Sequence, residues 1–355
     1  MRRVNPKKIG LEYDKEHFIR VEKYIRQIEM LFDTTANEAV KIVSSISPDI
    51  TKPFRIDDFP EVKARFGRLM NKFSSNMLFV VKKATKSEWL KACEKNDEMV
   101  NILSKIMKMD DKLKGRYNSR NLQALQSFQQ RKMNGLNLSD RVWNYTNQFR
   151  GEIEMALDLG LFDGRSAQDL SRDVRMYLKE PKMLFRRVAD TRGRLHLSRR
   201  AKEYSPGGGV YRSSYKNALR MTRTEVNMAY RMSDHIRWQQ LDFVVGYEVK
   251  RSNKVFSCDI CEALKGRYPK SFLFLGWHPQ CRCQVVSILA TQQEFITYQK
   301  KVLAGKDVTL KSKNEIKNPP KNFSDWYLSH KEKIDSSPNP PYFIRENKSH
   351  LHSVQ

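Results

Sequence analysis

Four of the five cysteines lie within 26 residues, and this cluster constrains the fold more than any other feature of the sequence. Cys258 and Cys261 form a C-x2-C pair, and Cys281 and Cys283 return close behind His278. A C-x2-C loop places two thiolates on one side of a metal ion, and a second group later in the chain completes a tetrahedron. The spacing therefore predicts that residues 258–283 fold back around a Zn²⁺ ion.

The five candidate ligands exceed the four of a tetrahedral structural site, so one of them is left out. The sequence favours Cys258, Cys261 and Cys283, with either Cys281 or His278 as the fourth ligand. Four protein ligands leave no position for water, which favours a structural role over catalysis. Two disulfides between the same cysteines are the alternative. They would form if the protein is part of a particle that leaves the reducing interior of the cell and is then exposed to oxidising conditions.

Two β-prone runs flank the cluster, at positions 243–251 and 284–289, and the first alternates apolar residues at 245, 247 and 249. Elsewhere apolar residues recur every three or four positions, as in 18–31 and 62–80, which indicates amphipathic helices. The predicted fold is therefore mainly α with a small α+β C-terminal domain, that is, a helical body plus a zinc-knuckle strand-loop-strand module.

Local signals place several helix ends. Thr35 and Glu38 have the spacing of a capping box, which predicts that a new helix begins there. Gly160 is expected to end a helix, and Ser166 is expected to cap the next one. A long helix is expected over about 215–240.

Four consecutive segments follow from these patterns: an N-terminal helical domain (1–137), a helical segment with a basic linker (138–214), the domain with the Cys/His cluster (215–295) and a Pro-rich polar tail (296–355). Three successive glycines at 207–209 predict a flexible turn within the linker. The tail is expected to be extended or partly disordered, with one helix near Trp326.

Basic residues far outnumber acidic ones, with 66 Lys and Arg against 40 Asp and Glu and a formal net charge of +26. Such a surplus indicates a polyanionic partner. Twelve basic and two acidic residues, a local charge of +10, fall between positions 182 and 223. The residues predicted there to contact DNA are Arg186, Arg187, Arg192, Arg194, Arg199, Arg200 and Lys202.

No run of eighteen apolar residues occurs, and no apolar stretch follows the charged residues at positions 2–8. We therefore expect neither a membrane span nor a secretory signal. Hydrophobic residues make up 39% of the chain, which excludes a wholly disordered basic protein.

The ordered motifs of the C-terminal half resemble those of the phage Mu F-like head-morphogenesis proteins, which are minor head proteins of tailed bacteriophages and prophages. They are an R-T-E segment at Arg223–Glu225, C-x2-C-x2-L-x-G ending at Gly266, and H-P-x-C-R-C ending at Cys283. The likeness covers about residues 215–289, with a looser one at 164–171. Gly276 and Trp277 depart from the two prolines that usually precede the histidine.

The resemblance implies a structural, portal-associated protein of the virion rather than an enzyme, acting in head morphogenesis and in DNA packaging or delivery. The implied partners are a phage portal or capsid protein and packaged double-stranded DNA bound without sequence preference. The implied location is the phage head, and the bacterial cytoplasm during assembly.

The alternative is a zinc-dependent nucleic-acid-processing enzyme such as a nuclease. Of the seven histidines only His278 lies near the cluster, so a base and a second metal-binding partner at the required spacing are missing. Arg223 and Glu225 are interpreted as structural residues, with Arg223 as a buried ion-pair partner either in the neighbourhood of Glu225 or at the zinc loop.

Overall fold

A computed structural model describes residues 6–44, 46, 49, 52, 54–162, 165–181, 188–189, 191–196, 210–252 and 258–351. The N-terminal half contains α1 (Pro6–Val43), α2 (Pro60–Ile106), α3 (Asp111–Gly115), α4 (Leu122–Gln130), α5 (Leu138–Phe162) and α6 (Ala167–Lys179), followed by the hairpin strands β1 (Val188–Ala189) and β2 (Leu195–His196). Then come α7 (Ser214–Gln240), β3 (Val244–Lys250), α8 (Asp259–Ala263), β4 (Gly266–Tyr268), β5 (Gln284–Leu289), α9 (Gln292–Leu303), α10 (Lys321–Asp335) and α11 (Tyr342–Arg345). The predicted fold class, mainly α with a small α+β C-terminal module, is confirmed.

α1 passes without a break through Thr35, so the predicted helix start at that residue is wrong. The apolar face continues on both sides of it, and Ile28, Phe32, Ala36 and Ala39 are all fully buried. Thr35 is buried as well. The burial of one continuous face therefore overrides the local capping signal.

No described helix is long and apolar enough to cross a membrane.

The chain divides into two compact units that interleave along the sequence. The sheet unit comprises 1–22, 84–129 and 223–355, and the helical unit comprises 23–83 and 130–222. α1, α2 and α7 each contribute to both, whereas the segments expected from the sequence are consecutive. Segments far apart in sequence therefore build each core.

An aromatic cluster forms the centre of the helical unit. The ring centroids of Phe32 and Phe149 are 4.6 Å apart, and those of Phe32 and Phe73 are 4.8 Å apart. Tyr215, in the first turn of α7, meets Phe32 edge to face at 5.4 Å. These contacts between three long helices and α7 account for the apolar spacing of their sequences.

Gly160 does not end α5, which continues to Phe162, so this predicted helix end is wrong. A Cβ atom at Gly160 would lie 2.0 Å from Cδ2 of Leu170 in α6. The glycine therefore leaves room for the Leu170 side chain where α6 approaches α5. The prediction that Ser166 caps α6 is confirmed, since its side chain accepts the N–H of Asp169 at 3.2 Å.

Glu152 of α5 lies fully within the helical unit and binds the start of α7. Its carboxylate accepts the backbone N–H of Ser214 at 2.8 Å, the Ser214 hydroxyl, and an amide N–H of Gln148 at 3.0 Å. Burial raises the pKa of Glu152 to about 8, although these hydrogen bonds act in the opposite direction. The native state therefore retains a proton that the unfolded chain releases near the ordinary pKa of a glutamate.

Glu152→Gln should flatten the dependence of stability on pH. In the native protein the free energy of unfolding falls as the pH rises from about 5 to 8, because the unfolded state binds fewer protons there. Gln keeps the hydrogen bonds but does not titrate. The free energy of unfolding of the variant should therefore not show the decrease of roughly 3 kcal/mol that the native protein shows over this range. Urea denaturation at pH 5 and pH 8 measures it, and identical pH profiles for the two proteins would contradict this role.

The sheet unit contains a three-stranded antiparallel sheet in the order β4-β3-β5. Tyr247 of β3 lies opposite Tyr268 of β4 on one side and Ser287 of β5 on the other. Both predicted strands, β3 and β5, are confirmed. The three-residue strand β4, between the two halves of the cysteine cluster, was not predicted because it is too short to show alternation.

Most of the predicted tail is built into the sheet unit, and the expectation of an extended or partly disordered segment is wrong where the tail forms α9, α10 and α11, whereas residues 306–320 contain no helix or strand. The backbone N–H of Ile316 donates to the carbonyl of Val245 in β3 at 3.1 Å. The side chain of Asn347 accepts the N–H of Leu273 and donates to its carbonyl. The helix expected near Trp326 is α10.

Candidate metal centre

The sheet brings the two halves of the cysteine cluster together. Cys258 immediately precedes α8 and Cys261 lies within it, while His278, Cys281 and Cys283 occupy the turn that leads into β5. Cys261, Cys281 and Cys283 are buried, and Cys258 and His278 are half-buried. All five cysteines of the chain are free thiols, so the disulfide alternative is not what the structure contains.

The potential ligand atoms form two overlapping triples that share Cys261. One triple is Cys258, Cys261 and His278, the other is Cys261, Cys281 and Cys283, and within each triple all atoms lie within 4.8 Å of one another. Nε2 of His278 is 3.1 Å from the Cys258 sulfur and 3.2 Å from the Cys261 sulfur. The Cys261 and Cys281 sulfurs are 3.9 Å apart.

Each triple is compact enough to supply three ligands to one metal ion. A zinc–sulfur bond is about 2.3 Å, so two sulfur ligands of one ion lie about 3.8 Å apart, close to the separation of Cys261 and Cys281. The five-residue cluster of Cys258, Cys261, His278, Cys281 and Cys283 can therefore bind a metal ion.

Neighbouring groups prepare two of these residues for metal binding. Nδ1 of His278 lies 2.8 Å from the carbonyl oxygen of Pro279, and a proton on Nδ1 leaves the Nε2 lone pair directed at the thiols. Hydrogen bonds from the Cys261 and Cys283 thiols lower the pKa of Cys281 well below its ordinary value, and backbone N–H groups of Cys283 and Trp277 add to the effect. The thiolate form that metals require is thus favoured at Cys281.

Gly276 has a backbone conformation that favours glycine. Its φ of +117° is a conformation that residues with a Cβ rarely adopt, and a Cβ there would lie 2.9 Å from Cβ of Cys281. The following residue, Trp277, is buried and packs on Phe274 with ring centroids 4.7 Å apart. The Gly-Trp pair therefore brings the backbone close to Cys281 and anchors it in the core.

The R-T-E segment of α7 holds the histidine–cysteine turn. Arg223 donates to the Gln280 side chain at 3.3 Å, and the Thr224 hydroxyl accepts the Gln280 N–H at 3.2 Å. Arg223 also pairs with Glu22 of α1 at 3.0 Å, and Arg282 pairs with the same carboxylate. Arg223 is thus an ion-pair partner beside the candidate metal turn, but it is half-buried rather than buried as expected. Glu225 is buried in the same helix.

Two further α7 residues, which the motif analysis did not select, hold the carbonyls of the ligand turn. Asn227 donates to the carbonyl of Cys281 at 3.1 Å, and Arg231 donates to that of Cys283 at 2.9 Å. Arg231 in turn pairs with the buried Asp14 at 2.7 Å. Residues 223, 227 and 231 are spaced four apart. This spacing is the signal in the sequence that places all three on one face of a helix.

The predicted DNA-contact residues are only partly described. Arg192 and Arg194 lie exposed in the turn that joins β1 and β2, where Gly193 has a φ of +71°. The remaining five, and the glycine-rich turn at 207–209, lie outside the described residues; these five are Arg186, Arg187, Arg199, Arg200 and Lys202. The described part of the predicted linker thus includes a short hairpin.

Comparison of the chain with protein-family models, with curated proteins and with solved structures finds no significant match.

Proposed function

We propose that the chain is a structural minor head protein of a tailed bacteriophage or prophage, associated with the portal or capsid and with packaged double-stranded DNA. The observation that carries the proposal is that the two distant parts of the Mu F-like signature meet in the fold. Arg223 of R-T-E and Arg282 of H-P-x-C-R-C share the carboxylate of Glu22, and Gln280 bonds to both Arg223 and Thr224. The signature residues thus serve a common structural purpose.

In this proposal Zn²⁺ binds at Cys258, Cys261, His278 and Cys281 and joins α8 to the turn before β5. His278 is included because its Nε2 faces two thiols, and Cys281 because its sulfur lies 3.9 Å from that of Cys261. This set differs from the one favoured by the sequence, because His278 and Cys281 are both included and Cys283, whose sulfur also lies within 4.8 Å of those of Cys261 and Cys281, is left out. When bound, such an ion contributes folding free energy, because the unfolded chain holds no preformed site.

The same contacts disfavour a nuclease. A catalytic zinc keeps one position open for water, whereas four protein ligands close the shell. His278, the histidine that lies near the cluster, faces thiols through one ring nitrogen and a carbonyl through the other. Its geometry suits a metal ligand rather than a general base.

Metal analysis of the purified full-length protein tests the zinc proposal. We expect one zinc ion per chain, and a melting temperature that falls on chelation because binding and folding are coupled. Cys261→Ser and Cys281→Ser should lose the metal, and Cys283→Ser should retain it. Cys93→Ser is the matched control, since Cys93 is a buried cysteine outside the cluster. A metal-free protein, or a melting temperature unaffected by chelation, would refute the zinc site.

The head assignment has its own test. In particles induced from a strain carrying the gene, mass spectrometry of DNA-filled heads should detect the chain in a few copies per particle. Its consistent absence from purified heads would overturn the assignment even if the zinc site is present.

A further inference from the structure

The first half of α2 exposes a row of positive charge that the functional motifs did not include. Between positions 62 and 83 the sequence contains six basic residues and no acidic residue. All six are exposed. They are Lys63, Arg65, Arg68, Lys72, Lys82 and Lys83. Solvated helix surfaces more often mix both signs at spacings that form ion pairs, so a run of a single sign needs another explanation.

Most of these residues share one face of the helix. Arg65, Arg68, Lys72 and Lys83 lie on it together with Phe79, at steps of three, four, seven and four residues. Phe66, Phe73 and Met77 on the opposite side are buried in the helical unit and fix the orientation of α2. With a rise of 1.5 Å per residue, the row from Arg65 to Lys83 extends over about 27 Å. We call this surface the α2 basic face.

Acidic neighbours do not neutralise the α2 basic face. Lys63 pairs with Asp57 at 3.3 Å, but in the part of the chain that the structure describes Arg65, Arg68 and Lys72 form no ion pair. Lys83 lies over the ring of Phe79, 5.9 Å from its centroid. Like charges three and four residues apart on a helix repel one another, so a bound polyanion would relieve this repulsion.

The chemistry of the face selects the polyanion. A membrane-binding helix presents a broad apolar face to the lipid, whereas the apolar side of α2 is buried and Phe79 is the single large apolar residue on the row. Duplex DNA offers about one phosphate charge per 1.7 Å of its axis, which provides continuous counter-charge along 27 Å. Lysine and arginine in this arrangement bind phosphates and do not read bases.

We propose that the α2 basic face binds the phosphate backbone of double-stranded DNA without sequence preference. The inference rests on the proposed function for the source of that DNA, the packaged genome. The α2 basic face is thus a second candidate surface for DNA contact, in addition to the linker residues that were predicted from the local positive charge.

The test compares two charge-matched variants of the full chain. In the first, Arg65, Arg68 and Lys72 are replaced by Gln, and in the control Lys300, Lys301 and Lys306 are replaced by Gln. The control residues are also exposed, and they lie at the end of α9 and beyond it. Both variants lose three positive charges, so a difference between them reports position rather than net charge. Circular dichroism checks that each variant is folded.

Binding to a duplex of arbitrary sequence is measured by fluorescence anisotropy over a series of salt concentrations. Each phosphate contact contributes roughly 0.9 to the slope of log K against log salt, so the first variant should lose about 2.7 in slope. The control should keep the native slope. The proposal is overturned if the native chain does not bind the duplex, or if the first variant binds with the affinity and slope of the control.

These results are separable from the proposed function. If the chain is found in DNA-filled heads but neutralising the α2 basic face leaves its DNA binding unchanged, only the DNA site is wrong. If the native chain binds DNA through this face but is absent from heads, the head assignment fails and the DNA site remains.

Discussion

Replacing Asp14 by Ala is expected to destabilise the sheet unit by about 3–5 kcal/mol, the cost of breaking a buried ion pair from one side. Asp14 is completely buried in α1. It accepts hydrogen bonds from Arg231 at 2.7 Å, from the Tyr230 hydroxyl at 3.1 Å and from the backbone N–H of Val285 at 3.1 Å. Lys95 lies 3.4 Å away. Without the carboxylate, Arg231 and Lys95 stay buried with Asp234 as their remaining acidic partner.

The basic residues of this network stabilise the charged form of Asp14. Burial alone would raise the pKa of Asp14, but Arg231 and Lys95 outweigh it and lower the pKa to about 2. The folded state therefore favours the charged form, and its stabilising effect is complete above the ordinary aspartate pKa and is lost as the pH falls through about 2. At neutral pH the full effect of the substitution should be observed.

Urea denaturation at pH 7 measures the loss, with Glu16→Ala as the matched control on the same helix. Glu16 is exposed and pairs with Arg20 at 3.4 Å, so its removal should cost less than about 1 kcal/mol. Asp14→Asn preserves the size of the side chain and removes the charge, and it should also destabilise the unit. Equal stabilities of the Asp14→Ala and Glu16→Ala variants would show that the network does not stabilise the fold.

The metal site should respond to the same substitution. Asp14 orients Arg231, which holds the carbonyl of Cys283, and Asp14 also binds the N–H of Val285, two residues later. We therefore expect Asp14→Ala to weaken zinc binding as well as folding. In titrations of still-folded protein, unaltered zinc affinity would restrict Asp14 to a role in stability.

Phe323→Ala is expected to destabilise the sheet unit by about 3–5 kcal/mol, the usual cost of removing a buried aromatic side chain. Phe323 lies in α10, within the segment expected from the sequence to be an extended tail, and it is fully buried. Its ring centroid is 5.3 Å from that of Phe272, 5.9 Å from that of Tyr268 and 6.5 Å from that of Trp277. Trp277 adjoins His278, so the cavity would open beside the candidate metal site.

Leu328→Ala is the control for this variant, because Leu328 lies in the same helix and is 52% exposed. It should change the free energy of unfolding by less than about 0.5 kcal/mol, as surface substitutions usually do. Thermal melting and zinc content distinguish the two variants. A Phe323→Ala protein that melts and binds zinc like the control would mean that the Phe323 side chain does not stabilise this core.

Some parts of the fold were accessible from the sequence because their signals are local. The alternation at 245, 247 and 249 predicted β3, and the cap at Ser166 predicted the start of α6. The close spacing of the cysteines likewise predicted a cluster that can bind a metal, since chain geometry brings residues two or three apart into reach of one ion.

Other local signals were misleading because packing outweighed them. Thr35 had the pattern of a helix cap, yet its helix continues because the apolar face on either side is buried as one surface. Gly160 had the pattern of a helix end, yet it is a contact point for Leu170. The prolines of the tail indicated an extended chain, but Phe323 and Phe343 find aromatic partners in the core.

The amino-acid sequence alone determined the mainly helical class, the strands on either side of the cysteines and the set of five potential metal ligands, because these follow from spacing along the chain. Only the tertiary structure decided that Asp14 neutralises Arg231, which is 217 residues away, that α7 holds the ligand turn, and that α2 presents its basic residues outward. The physical reason is that burial determines which charges must be paired and which face of a helix meets solvent. Burial is in turn set by the packing of segments that are distant in sequence.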